Sequence, residues 1–162
     1  MASNAGQVVD WRKVFEWPIW RKSMESVMLR DLWGPDLNKG FFETLAALRK
    51  VDLTPERASE ILRRRLAAGI RTIVAVLGDR IVGTASYIVE EKFYGKVSHV
   101  EDVAVHPQFK GQGIGQRMIE EVIARSKAAD CYKIILDCDD HMVTYYERAG
   151  FRKVNNGLRR DL

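Results

Sequence analysis

The sequence predicts a mixed α/β domain in which a central sheet carries helices on both faces, in the order β-αα-βββ-α-β-α-β. Three observations carry that prediction. Short β-branched apolar runs alternate with stretches whose apolar residues recur at helical spacing. Two of the apolar runs are separated only by Gly78-Asp79, a dipeptide that favours a reversing turn. After Gly115 the apolar period changes from strand-like to helix-like within one segment. At 162 residues the chain has room for one continuous core and too little for a second full domain.

Residues 1–26 differ from the rest. Trp11, Phe15, Trp17 and Trp20 are interleaved with Arg12, Lys13, Arg21 and Lys22, and Pro18 interrupts any long helix. They read as an N-terminal extension that caps its own domain, the other reading being an arm laid on a partner or a membrane surface. The domain proper is 27–162. Val27-Met28-Leu29-Arg30 is the first strand. Leu37, Phe41, Leu45 and Leu48 then predict a first amphipathic helix. Thr54-Pro55 supplies an N-cap followed by proline at the first helical position, Ala58, Ile61, Leu62 and Leu66 form a stripe, and Gly69 closes this second helix. Residues 71–89 read as two antiparallel strands and 96–105 as a third, ended by His106-Pro107. A helix carrying Ile114, Met118, Ile119, Val122 and Ile123 on one face follows. Lys133-Ile134-Ile135-Leu136 is a short strand, 141–149 a last helix, and Phe151 onward a last strand.

Composition narrows the function classes. No apolar run approaches the ~20 residues that span a bilayer, so a membrane span is not expected. The opening residues lack the basic start and apolar centre of a secretory signal, which predicts a cytoplasmic protein. Cys131 and Cys138, the only two thiols, are too few for a disulfide scaffold or a structural zinc site and are expected reduced, buried and inert. The net charge of +4 suits anionic small molecules without requiring a polyanion. Arg63-Arg64-Arg65 lies on the second helix without interleaved aromatic residues, so it is assigned to a solvated face and no nucleic-acid partner is expected.

The most informative segment is Val103-Ala104-Val105-His106-Pro107-Gln108-Phe109-Lys110-Gly111-Gln112-Gly113-Ile114-Gly115, which sets three glycines between a strand end and an amphipathic helix. Glycine lets a phosphate approach the backbone, and a helix start offers unpaired N–H groups and the positive end of the macrodipole. A dinucleotide-binding fingerprint would want glycine at Gln116, and a Walker loop would want Gly-Lys-Ser/Thr; neither is present. The carboxylates Glu101, Asp102 and Asp137 fall within apolar strand-like runs, where an unpaired charge is costly to bury, so packing alone explains them poorly.

This loop resembles the pyrophosphate-binding motif of the GNAT acetyltransferases, with Lys110 where glutamine or arginine is usual. Beyond it, His99-Val100-Glu101-Asp102-Val103-Ala104-Val105, then Cys131-Tyr132-Lys133-Ile134-Ile135-Leu136-Asp137-Cys138, then Tyr145-Tyr146-Glu147-Arg148-Ala149-Gly150-Phe151 resemble the glucosamine-6-phosphate N-acetyltransferases within that superfamily. The likeness runs from about residue 27 to the C-terminus. It implies the GNAT fold, acetyl-CoA as cosubstrate, no metal, and transfer to the amine of a sugar phosphate by a homodimer that shares its substrate site. The cofactor contacts implied are Val103, Ala104, Val105, Lys110, Gly111, Gln112, Gly113, Ile114, Gly115, Gln116 and Tyr146. The same resemblance implies a bulged or splayed strand at 101–105, an N–H near Val103 facing the thioester oxygen, Tyr146 as acid for the departing thiolate, and Glu101, Asp102 and Asp137 about the amine; a tyrosine in a helix is more often packing, and Tyr145 is read as the core-facing one. Lys92, Tyr132, Lys133 and Arg160 are the remaining substrate contacts it implies.

The sequence departs from that pattern at three places: a segment Lys92-Phe93-Tyr94-Gly95-Lys96 about three residues short and lacking a histidine, Met142 where an asparagine is common, and Arg49 where a threonine is common. The rival readings are a GNAT enzyme for another amine (an amino sugar, a polyamine or a protein N-terminus), a non-catalytic acetyl-CoA-binding module, and a nucleic-acid-binding protein.

Overall fold

The computed structural model describes residues 27–154 together with Leu158 and Arg160. The extension expected at 1–26 and most of the chain after Val154 lie outside these residues. Among the described residues, five strands form one sheet in sequence order: β1 (Met28–Asp31), β2 (Ile70–Leu77), β3 (Arg80–Lys92), β4 (Gly95–Val105) and β5 (Cys131–Ile135). The first four pair antiparallel and β5 joins β4 in parallel. The antiparallel connections are short, Leu77 facing Arg80 across Gly78-Asp79 and Lys92 facing Gly95 across Phe93-Tyr94. The parallel step needs a crossover, which α3 (Ile114–Ala128) supplies.

Both faces of the sheet are covered. The turn carrying Leu37, together with α1 (Phe41–Leu45) and α2 (Pro55–Ala67), packs Leu37, Phe41, Ala58 and Leu62 against Val74, Val76 and Ile81 on one side. On the other, Ile114, Met118, Ile119 and Val122 of α3 and Tyr146 of α4 (Val143–Glu147) pack against Ile73, Ala75, Val82, Ala85 and Val100. The alternation along β2 explains the split, since Val74 and Val76 face one layer while Ile73 and Ala75 face the other. α2 begins as its cap predicts, with the Arg57 N–H donating to Thr54 Oγ1 at 3.3 Å.

The structure corrects three expectations. The first amphipathic helix is split into a 3₁₀ turn (Gly34–Asn38) and the five-residue α1. Gly40 stands between them at φ 86°, where a side chain would crowd Ile81 O and Arg80, and the Thr44 hydroxyl donates to Ile81 O at 2.9 Å. Docking onto β3 therefore breaks the helix that the local pattern predicts. Residues 151–154 form no strand; Phe151 instead donates its N–H to Tyr146 O at 3.2 Å, closing the end of α4. The cysteines are not both buried: Cys131 is half-buried and Cys138 exposed, and partial desolvation pushes both thiols up, which keeps them in the unreactive thiol form. No helix among the described residues is long and apolar enough to cross a membrane.

Candidate active site

The site begins where β4 loses its regular pairing. Glu101 is opposite Ser86, yet Ala104 is opposite Thr84, so β4 holds one residue more than β3 over this stretch. Asp102 absorbs the excess at φ 52°, in the left-handed region that L residues enter at a cost. On its other side β4 pairs with β5 only from Lys96 to His99, and the two strands part beyond that point. A parallel pair that opens leaves the N–H and C=O groups of that edge without a ladder partner. The bulge and splay implied by the resemblance are thus both present.

The gap opens into a cleft of about 1190 Å³, with 100–105 on one wall and Leu136, Asp137 and Cys138 on the other. Its floor is the glycine loop. Gly111 and Gly113 both lie at φ 77°, Gly113 is the N-cap of α3, and a Cβ added at Gly111 would meet nothing within 4 Å. The first turn of α3 holds no acidic residue, so its positive end is not offset by a side chain. Lys110 also borders the cleft and is exposed. This set of groups fits a diphosphate: open backbone, helix N-terminus and one cation.

α4 closes the far side. Tyr146 is 8% exposed and held edge-to-face by Tyr145 at 5.0 Å and Phe151 at 5.9 Å between ring centres. Burial, reinforced by Tyr145 and Cys138, pushes its phenol up to about 12, so it is protonated at neutral pH and can donate. Tyr145 is not simply a core residue. It borders the cleft, burial pushes its phenol up as well, and its hydroxyl occupies the space that a Cβ at Gly115 would need. The third glycine of the loop is therefore required by packing against α4 rather than by its φ.

The residues predicted from sequence separate into two groups. Glu101, Asp102, Val103, Ala104, Val105, Lys110, Gly111, Gly113, Ile114, Gly115, Gln116, Asp137 and Tyr146 all line the cleft. Gln112 does not, although it belongs to the same loop. Lys92, Tyr132 and Lys133 sit elsewhere, at the β3–β4 turn and the start of β5. There Lys92 Nζ lies 2.7 Å from Glu90, Lys133 Nζ is 5.4 Å from the Tyr132 ring centre, and Tyr132 faces Tyr94. Lys133 is in register with Val97, five residues before Asp102, which at strand rise is ~16 Å from the bulge. Arg160 is exposed and outside any element. One copy of the described chain thus places the predicted acids and the predicted lysines apart. Leu48, His141 and Arg148, which no site expectation covers, also line the cleft; Met142 does so too, and Arg49 does not. Arg148 was legible within the Tyr-Tyr-Glu-Arg-Ala-Gly-Phe segment, whereas nothing local marks Leu48.

A sheet that opens between β4 and β5 over a glycine-rich helix start defines an acyl-CoA-dependent transferase class, and the comparisons agree. The chain belongs to the Acetyltransferase (GNAT) family, whose model matches residues 29–151. It is similar to the probable glucosamine 6-phosphate N-acetyltransferase 2 of Oryza sativa subsp. japonica, with 37% identity over 136 residues, 78% of this chain and 82% of that protein. Among solved structures it is similar to an acetyltransferase of Trypanosoma brucei, with a TM-score of 0.80 and 35% identity over 84% of this chain and 99% of that one. It is also similar to the glucosamine-6-phosphate N-acetyltransferase of Arabidopsis thaliana, with a TM-score of 0.79 and 28% identity over 83% and 97% of the two chains.

Proposed function

We propose that this chain transfers the acetyl group of acetyl-CoA to the amine of glucosamine 6-phosphate by direct transfer in a ternary complex. One observation carries the reading: the bulge at Asp102 sets two carboxylates on a parted strand pair, between a glycine loop at a helix N-terminus and a buried, protonated tyrosine. Acetyl-CoA supplies the activated acyl group and a thiolate leaving group. Gly111, Gly113 and the start of α3 hold the diphosphate, with Lys110 beside them, and the opened edge of 103–105 pairs with the pantetheine arm. The Val103 N–H donates to the carbonyl oxygen as it gains charge. Glu101, Asp102 and Asp137 orient the amine and take up its proton directly or through water, while Tyr146 donates to the departing sulfur.

The cations are explained by assembly. Phe93, Tyr94 and Tyr132 expose large aromatic surfaces beside Lys92 and Lys133, and 151–154 add no strand beside β5. A homodimer that brings this end of one copy to the cleft of the other, with Arg160 arriving from the C-terminal segment, completes a phosphate site; the protein then works in the cytoplasm, with 1–26 as an appendage. The separation of acids and cations within one chain favours a second reading, transfer to an unphosphorylated amine. The two are told apart by following release of free CoA from acetyl-CoA. Glucosamine 6-phosphate is expected to support it while glucosamine and spermidine do so hardly at all; equal rates with all three overturn the assignment.

A further inference from the structure

Of the basic triplet assigned to solvent, Arg63 and Arg64 are exposed but Arg65 turns inward. Its Nη2 donates to Ser86 Oγ at 2.7 Å and to Asp102 Oδ2 at 3.1 Å, and Ser86 Oγ lies 3.0 Å from Thr72 Oγ1. Thr72, Ser86 and Asp102 stand on β2, β3 and β4, so the last turn of α2 is tied across three strands to the bulge. Thr72 and Ser86 are buried, which fixes where the guanidinium sits.

The ladder alone does not hold Asp102. It falls where the register with β3 skips, at φ 52°, a conformation that persists only when its surroundings over-determine it. Arg65 is the ion-pair partner of its carboxylate among the described residues. Asp102 also borders two spaces: the cleft, and a separate cavity of about 100 Å³ beneath α1 and α2 lined mainly by apolar side chains. Thr84 Oγ1, buried and without a partner among the described residues, also borders that second cavity.

We infer that Arg65 is a positioning residue: it holds Asp102 by one carboxylate oxygen so that the other faces the acceptor amine and the bulge beside Val103 keeps its shape. This rests on the acetyl-transfer reading of the same cleft.

The test is a double-mutant cycle on the full chain. Arg65→Met keeps the apolar stem and removes the charge. It is expected to lower kcat/KM for glucosamine 6-phosphate by about 30-fold with the KM for acetyl-CoA unchanged, and by less than about 3-fold in an Asp102→Asn background. Arg65→Lys, which keeps the charge, is expected to recover most of the loss. Equal losses in the two backgrounds, or a loss matched in the acetyl-CoA KM, make Arg65 a structural residue and overturn the inference, as does full activity of Arg65→Met. If the unaltered protein acetylates some other amine instead, the acceptor assignment falls and the same cycle is read with that amine.

Discussion

Tyr146→Phe separates the acid role from packing. The phenyl ring keeps both edge-to-face contacts, at 5.0 Å to Tyr145 and 5.9 Å to Phe151, so the variant is expected to fold and to bind CoA as the parent does. Turnover is expected to fall about 10- to 100-fold, at the low end of general acid effects because a thiolate already leaves readily. The same substitution has a thermodynamic signature. The Tyr146 phenol is pushed up to about 12 from an ordinary value near 10, so the folded state holds this proton more tightly than the unfolded chain. Stability from that source is fully present below about pH 10 and is lost as pH rises toward about pH 12. Between about pH 8 and pH 11 the parent should lose ~1.4 kcal/mol that the phenylalanine variant keeps. Urea unfolding of both proteins across that range measures it. A stability difference that does not change with pH would refute the buried-phenol argument, and unchanged turnover would take the acid role from Tyr146.

Two further perturbations probe the loop and the scaffold behind it. Gly111→Ala places a methyl where no protein atom stands within 4 Å, so its folding cost is the ~1 kcal/mol of an alanine at φ 77°. CoA affinity is expected to fall about tenfold, which is a 1.4 kcal/mol loss, by calorimetry; an unchanged Kd would remove the diphosphate from this loop. Asp36 is buried at 2% exposure, accepts from Arg30 at 2.5 and 2.8 Å, and also accepts from the Trp33 N–H at 2.8 Å, so Asp36→Ala is expected to cost about 3–5 kcal/mol in urea unfolding. Because the bond from Arg30 holds its carboxyl below the usual range, that stability is present above about pH 4 and is lost as pH falls through the lowered value. A parent and variant that weaken in parallel on acidification would show that Asp36 is not the group responsible.

What could be read from the chain was what is decided locally. Thr54 and Gly69 bound α2 through contacts a few residues long, and the β2–β3 turn and the glycine loop are likewise set by nearby residues. α1 was misread because its break at Gly40 is enforced by Arg80 and Ile81, some forty residues on, and no local spacing records that contact. The third glycine shows the same limit in the site. Its place in the motif is visible, but its reason, the Tyr145 hydroxyl, comes from a helix near the other end of the domain.

The same division runs through the candidate site. Its glycine-loop side is backbone and helix terminus, which a short motif encodes almost completely; of that loop only Gln112 does not line the cleft. Its carboxylate side consists of side chains on β4 and just beyond the end of β5, with Arg65 of α2, whose meeting depends on register. A bulge at Asp102 brings Arg65 to β4 from 37 residues away, while the cations expected at the substrate remain at the opposite end of the hairpin. The basic run therefore misleads at Arg65, which is not at a solvated face. A triplet assigned to solvent supplies the cation that grips Asp102, while the lysines that the family resemblance makes phosphate ligands do not line the cleft in one copy of the described chain.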